Sequence, residues 1–218
     1  MDNPKSTSTL TPKLGKSIRL QTASRDEFHA EATLDTSSIS GIDIQGEQLH
    51  QLSLSRCRVV DLRAGGASFE GSAIVDCEFD RVDLSNCDFH ISRLERCLVR
   101  DSRLTGVSFN ETRLIDVRFA DCRIDLGGFR LAKTTRVTFD QCDLSNVDFR
   151  EADLSDVVFD SCNLTSADFS GSNLVGADLR RSNLDGLVIA PEQLRGVTVT
   201  SDQAIFLCGL LGLVIDDR

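Results

Sequence analysis

Eight cysteines, three histidines and thirty-four carboxylates are the side chains of this chain that could hold a metal, attack an electrophile or move a proton. Their spacing does not gather them for any of those tasks. No CxxC pair occurs and no histidine accompanies the cysteines, so the usual zinc spacings are missing. His29, His50 and His90 are scattered and read as residues of solvated faces. The chain contains no GxSxG, GxxxxGK(S/T), GxGxxG or HExxH motif. Carboxylates recur at a fixed phase, so close pairs arise from the repeat itself and carry no acid–base signal. The sequence therefore predicts no catalytic residue, no metal and no cofactor, and a binding protein rather than an enzyme.

The elements that place these residues follow a period of five. From Leu34 to Ile189 every fifth residue gives 32 positions: thirteen Leu, ten Phe, five Ile and two Val, with Ala64 and Thr134 as exceptions. Two residues earlier, 27 of 32 positions hold Ala, Ser, Cys, Val, Thr or Gly; Ile42, Glu47, Leu52, Leu62 and Leu187 depart. Asp, Asn, Arg, Ser and Gly fill the remainder. This period fits neither a helix nor a simple strand. One large and one small inward residue per five describe a chain that turns a corner after each unit and buries its inward face by stacking coils.

Units such as Ala152-Asp153-Leu154-Ser155-Asp156 and Ala167-Asp168-Phe169-Ser170-Gly171 resemble the pentapeptide-repeat family over about 70% of the chain. The resemblance implies an all-β fold, a right-handed quadrilateral parallel β-helix of about eight coils with twenty residues each. Spacing by twenty would stack Phe69, Phe89, Phe109, Phe129, Phe149 and Phe169 on one face. Phe79, Phe119, Phe139 and Phe159 would stack on the opposite face, interrupted by Val99. Seven of the eight cysteines fall in the small inward slot, where buried Cys acts as a small hydrophobe. Cys57, Cys77 and Cys97 form one ladder; Cys122, Cys142 and Cys162 form another.

The ends lie outside this register. Residues 1–30 read as an N-terminal tail and irregular cap, with Met1 to Lys16 mobile and Phe28 plugging the first coil. Residues 31–190 are the β-helix, and 191–218 form a C-terminal cap and dimerisation helix. Pro191 closes the repeat, Ser201 is placed to cap a helix over 202–211, and Gly212 stops it. Ile205, Phe206, Leu207, Leu210, Leu211, Leu213 and Val214 offer more apolar surface than one short helix needs for capping; simple capping of the last coil is one reading, and a self-complementary homodimer interface is the sharper one. The stretch LVIAPEQLRGVTVTSDQAIFLCGLLGLVI resembles the C-terminal end of quinolone-resistance pentapeptide proteins of the MfpA and Qnr type. In that group the corresponding helix joins two rods tail to tail. Residues 1–30 lack an apolar leader, and the apolar run Phe206 to Ile215 is about half of a membrane span. The expectation is a cytoplasmic protein with reduced thiols.

Charge is uneven along the chain. The net formal charge is −10, which argues against direct nucleic-acid binding and favours a basic partner. Residues 34–136 carry 16 acidic and 14 basic side chains. Residues 137–179 carry nine acids (Asp140, Asp143, Asp148, Glu151, Asp153, Asp156, Asp160, Asp168, Asp178) against Arg150 alone. Solvation is one reading of this stretch. Mimicry of DNA is the other, and the MfpA/Qnr resemblance implies DNA gyrase or topoisomerase IV as its target, with modulation of fluoroquinolone sensitivity. The alternative is a protein-interaction scaffold with another partner. The register admits no loop insertion, unlike the Qnr pattern, so the chain is closer to the loop-free MfpA type.

Overall fold

Stacked coils of twenty residues set the whole architecture. The computed structural model describes residues 11–14, 20–210 and 212–214, and shows a parallel β-solenoid of about seven turns with one short C-terminal helix. The ladder Asp43–Arg63–Asp83–Arg103–Arg123–Asp143–Asn163–Asn183 has eight rungs and seven steps, which accounts for the difference from eight complete coils. Four inward residues, five apart, give four faces. Face 1 runs from Leu34 to Leu174, face 2 from Ile39 to Leu179, face 3 from Ile44 to Leu184 and face 4 from Leu49 to Ile189.

Faces 1 and 2 carry the true strands, from Thr33–Asp35 and Ser37–Ser40 up to Lys133–Thr135 and Val158–Asp160. Faces 3 and 4 pair through single bridges only, because tight turns flank them; Glu47 N donates to Ile44 O and Leu52 N to Leu49 O. Each corner is a residue in the left-handed region, and these are the positions whose numbers end in 1 or 6. Asp, Asn, Gly and polar residues dominate that slot because short polar side chains and Gly tolerate positive φ.

Inside, the two phenylalanine columns meet. Ring centroids are 4.8 Å apart for Phe69–Phe89 and 5.1 Å for Phe119–Phe139, stacked nearly parallel. Across the bore, Phe129 meets Phe139 edge-on at 5.8 Å. Alternate stacking and edge contacts satisfy the ring quadrupoles while filling the interior. The two exceptions in the large slot fit as well. Thr134 is buried and donates its hydroxyl to Asp153 O at 2.8 Å, and Ala64 leaves room for Cys87, whose Sγ lies 3.0 Å from Ala64 O.

The structure moves both boundaries. Asp178 bridges Thr198, twenty residues on, and Val197 and Val199 pack on the core, so the register continues past Pro191. Pro191–Leu194 forms a 3-10 turn in the place of a face 1 strand. Lower in the rod, Arg93 N reaches Ser72 O and Ser92 Oγ reaches Phe69 O. At the end, one Gln193 side-chain amide donates to both Phe169 O and Ser172 O. Gln203 repeats the arrangement ten residues later, donating to Leu179 O at 2.7 Å and Ser182 O at 2.8 Å. Two glutamines thus satisfy carbonyls that a further coil would otherwise cover. The helix is Ser201–Leu210, and its N-cap is Thr200 rather than Ser201, since Thr200 Oγ1 accepts from Gln203 N and Thr200 O from Ala204 N. Gly212 follows with φ of 74°.

At the other end, Gln21–Thr22 adds a short parallel strand beneath Ser37 and Ser38, and Phe28 is buried under the first coil. The tail is not wholly detached: Lys13 N donates to Asp76 Oδ1 at 3.0 Å, on the flank of the third coil.

Candidate partner-binding surface

The nine acids of residues 137–179 do not form one stripe. Asp140, Asp160 and Asp178 flank face 2, Asp148 and Asp168 lie on face 4, and Asp143 lies on face 3. Asp153 and Asp156 flank face 1, and Glu151 takes the corner between faces 4 and 1. Asp140 lies directly over Asp160 in the strand register, and Asp148 bridges Asp168. Asp143, Asp148, Asp153, Asp168 and Asp178 each accept the backbone N–H two residues on, at 2.9–3.3 Å. That is turn chemistry, and it explains the residue type without a partner.

Arginines of the same or a neighbouring coil answer six of the nine. Arg118 binds Asp140, Arg130 binds Glu151, Arg180 binds Asp178 and Arg181 binds Asp160, while Arg150 serves Asp148 and, at 3.9 Å, Asp168. Four of these five arginines lie outside the window 137–179, so a linear count overstates the acidity of the surface. The offset of 21 or 22 residues between partners was the signal in the sequence. The Arg150 guanidinium holds the Asp148 carboxyl below its ordinary value. Among the described residues, Asp143, Asp153 and Asp156 have no arginine partner; Asn163 and Asn173 donate to the first two.

The corner between faces 1 and 2 shows the opposite pattern. Arg56, Asp76, Arg96, Asp116 and Arg136 alternate from coil to coil. Arg96 binds Asp76 through two bonds of 2.7 Å, and Arg136 binds Asp116 at 2.5 and 2.6 Å. Each arginine faces the carboxylate one coil before it. The forked guanidinium geometry suits the carboxylate. The series ends at Asp156, because its next position is Gly176.

Every phenylalanine assigned to the two columns is buried. Of the residues grouped as a dimer face, Ile205, Phe206, Leu210, Leu213 and Val214 are exposed. Leu207 is not among them: it is 6% exposed and belongs to the core, because the helix lies on the last coil through this side chain. Leu211 lies outside the described residues. The cysteine ladders are buried at corners of the bore, and burial pushes Cys87 and Cys97 up to about 12, which leaves them thiols at neutral pH. Among the described residues no group of three His, Cys, Asp or Glu side chains could hold a metal, and no helix is long and apolar enough to cross a membrane.

The family model described as pentapeptide repeat region matches residues 72–140 and 128–189. The chain belongs to the pentapeptide-repeat family. No curated protein matches it by sequence. Among solved structures, HetL from the cyanobacterium Nostoc sp. is a pentapeptide repeat protein involved in heterocyst differentiation regulation. It is 20% identical, with 74% of this chain and 86% of HetL covered and a TM-score of 0.54. Full-length QnrB1, a plasmid-mediated fluoroquinolone resistance protein, is 20% identical over 88% of this chain and 95% of that chain, with a TM-score of 0.42. At 20% identity the likeness to HetL is one of fold.

Proposed function

We propose that this pentapeptide-repeat protein is a non-enzymatic binding rod whose C-terminal coils dock on a basic, DNA-binding protein surface. DNA gyrase is the expected target. The observation that carries the reading is the two pairs of carboxylates stacked coil over coil, Asp140 on Asp160 and Asp148 on Asp168, on a rigid scaffold. Ladders spaced by ~4.8 Å present regular negative charge, as a nucleic-acid backbone does. The exposed apolar side chains Ile205, Phe206 and Leu210 of the helix, with Leu213 and Val214 after it, support a homodimer that sets two such segments end to end.

A second reading is favoured by the arginines that answer six of the nine acids. They lower the net field, which suits a scaffold for a different partner. Titration into a gyrase supercoiling assay, with and without ciprofloxacin, separates the two. Inhibition that disappears when Asp140, Asp148, Asp160 and Asp168 become Asn supports the gyrase reading; no effect at micromolar protein sinks it and leaves the scaffold. For the dimer, light scattering of Phe206→Asp and Leu210→Asp should report a monomer, and a wild type that is already monomeric ends that part.

A further inference from the structure

Three corners break the rules of their own repeat, and two of them, Ile91 and Leu131, lie on one edge of the rod between faces 4 and 1. Ile91, Leu126 and Leu131 occupy left-handed corner slots, with φ of 56°, 60° and 59°, and are 58%, 61% and 39% exposed. A β-branched residue at positive φ is an outlier, and an exposed one gains nothing from burial. Other described corners carry Gly or polar residues. Neither backbone preference nor packing asks for Ile91 here.

The same coils carry an uncommon row of cations. Arg93, Arg113 and Lys133 stand over one another on face 1, paired rung to rung. Below them the slot holds Thr33, Ser53 and Ala73, and above them Asp153 and Asn173. Arg93 is paired with Glu95. Among the described residues, Arg113 and Lys133 have no ion pair. A groove of about 570 Å³ runs between the cations and the corner, lined by Ile91, Ser92, Glu111, Leu131 and the three basic side chains.

We propose that this groove binds an acidic amphipathic helix of a partner protein, laid along the rod axis. Spacing favours a helix. Ile91 and Leu131 are two rungs apart, ~9.6 Å at the spacing of stacked strands. Apolar anchors at i and i+7 of a helix are ~10.5 Å apart, and acids at i and i+3 rise by ~4.5 Å, close to the step between cations. Alternate residues of an extended strand recur at ~6.6 Å and miss that step. Charge sets the sign: a row of cations on a chain of net −10 selects a carboxylate-bearing ligand, whereas the chain as a whole repels phosphate polymers. Glu111, between the two anchors, asks for a Lys or Ser at the middle of the helix's apolar stripe.

The test uses the full chain and a fluorescent synthetic helix with Leu at i and i+7, Lys between them and Glu along one flank. A peptide with its Glu residues replaced by Lys is the control. Anisotropy should show saturable micromolar binding of the acidic peptide, weakening with salt. Arg113→Glu combined with Lys133→Glu should weaken it by about tenfold or more. Ile91→Asn and Leu131→Asn should weaken it while leaving the melting temperature unchanged or raised, since Asn accepts positive φ. Equal binding of the control peptide, no saturable binding, or a lowered melting temperature for Ile91→Asn overturns the proposal. So does self-association of the wild type lost in the same variants, which would make a second copy the occupant. Preferential binding of a single-stranded oligonucleotide to the row also overturns it.

Discussion

Two stretches of the same solenoid solve the stacking of charge differently. Along the corner from Arg56 to Arg136 opposite charges alternate, and Asp76 and Asp116 are almost enclosed, with side chains 11% and 3% exposed. In the C-terminal coils like charges repeat, Asp140 over Asp160 and Asp148 over Asp168, and the arginines that answer them come from the flanks. The backbone is the same in both. A β-solenoid therefore tolerates either pattern, and only the alternating one contributes appreciably to stability. Exposed pairs such as Arg181–Asp160, with Arg181 70% exposed, are worth little.

The core, common to both stretches, sets the scale for testing this contrast. Phe139→Ala, which leaves a void where the two aromatic columns meet, should cost about 3–5 kcal/mol in urea unfolding. Next, with Asn keeping the left-handed corner at both sites, Asp116→Asn should cost about 1–3 kcal/mol and Asp156→Asn less than about 0.5 kcal/mol. Equal losses at the two positions would dissolve the distinction.

Acid should weaken the alternating corner only below the ordinary carboxylate range. The Arg96 guanidinium holds the Asp76 carboxyl below its ordinary value. A depressed carboxyl contributes stability above the unfolded value near ~4, and loses it as pH falls through the lower folded value. Between neutral pH and about 4 this contribution should stay constant, then decline below; in Arg96→Gln the decline should shrink, as read by unfolding at a series of pH values. The smallest effect belongs to Asp160→Asn. Relief of repulsion from Asp140 and loss of Arg181 oppose each other, so stability should change by no more than about 0.5 kcal/mol.

Most of the fold was legible because a five-residue period fixes which residues point inward, and twenty-residue spacing fixes which ones stack. The phenylalanine columns and the cysteine ladders follow from that arithmetic. The end of the register was not legible, because Pro191 reads as a stop while Val197, Thr198 and Val199 resume the ladder after a 3-10 turn. The orientation of the helix was hidden for a similar reason. Leu207 and Phe206 are equally apolar, and only the position of the last coil turns one inward and leaves the other 37% exposed.

By itself, then, the sequence determined the coil, its filling and the places where charge accumulates, since these depend on periodicity along one chain. Tertiary structure alone decided which charges meet. Partners 20 to 22 residues apart become neighbours only when coils stack, so Arg118 and Arg181 answer acids that look unpaired in a linear count. The same stacking turns Arg93, Arg113 and Lys133, dispersed over forty residues, into a single row.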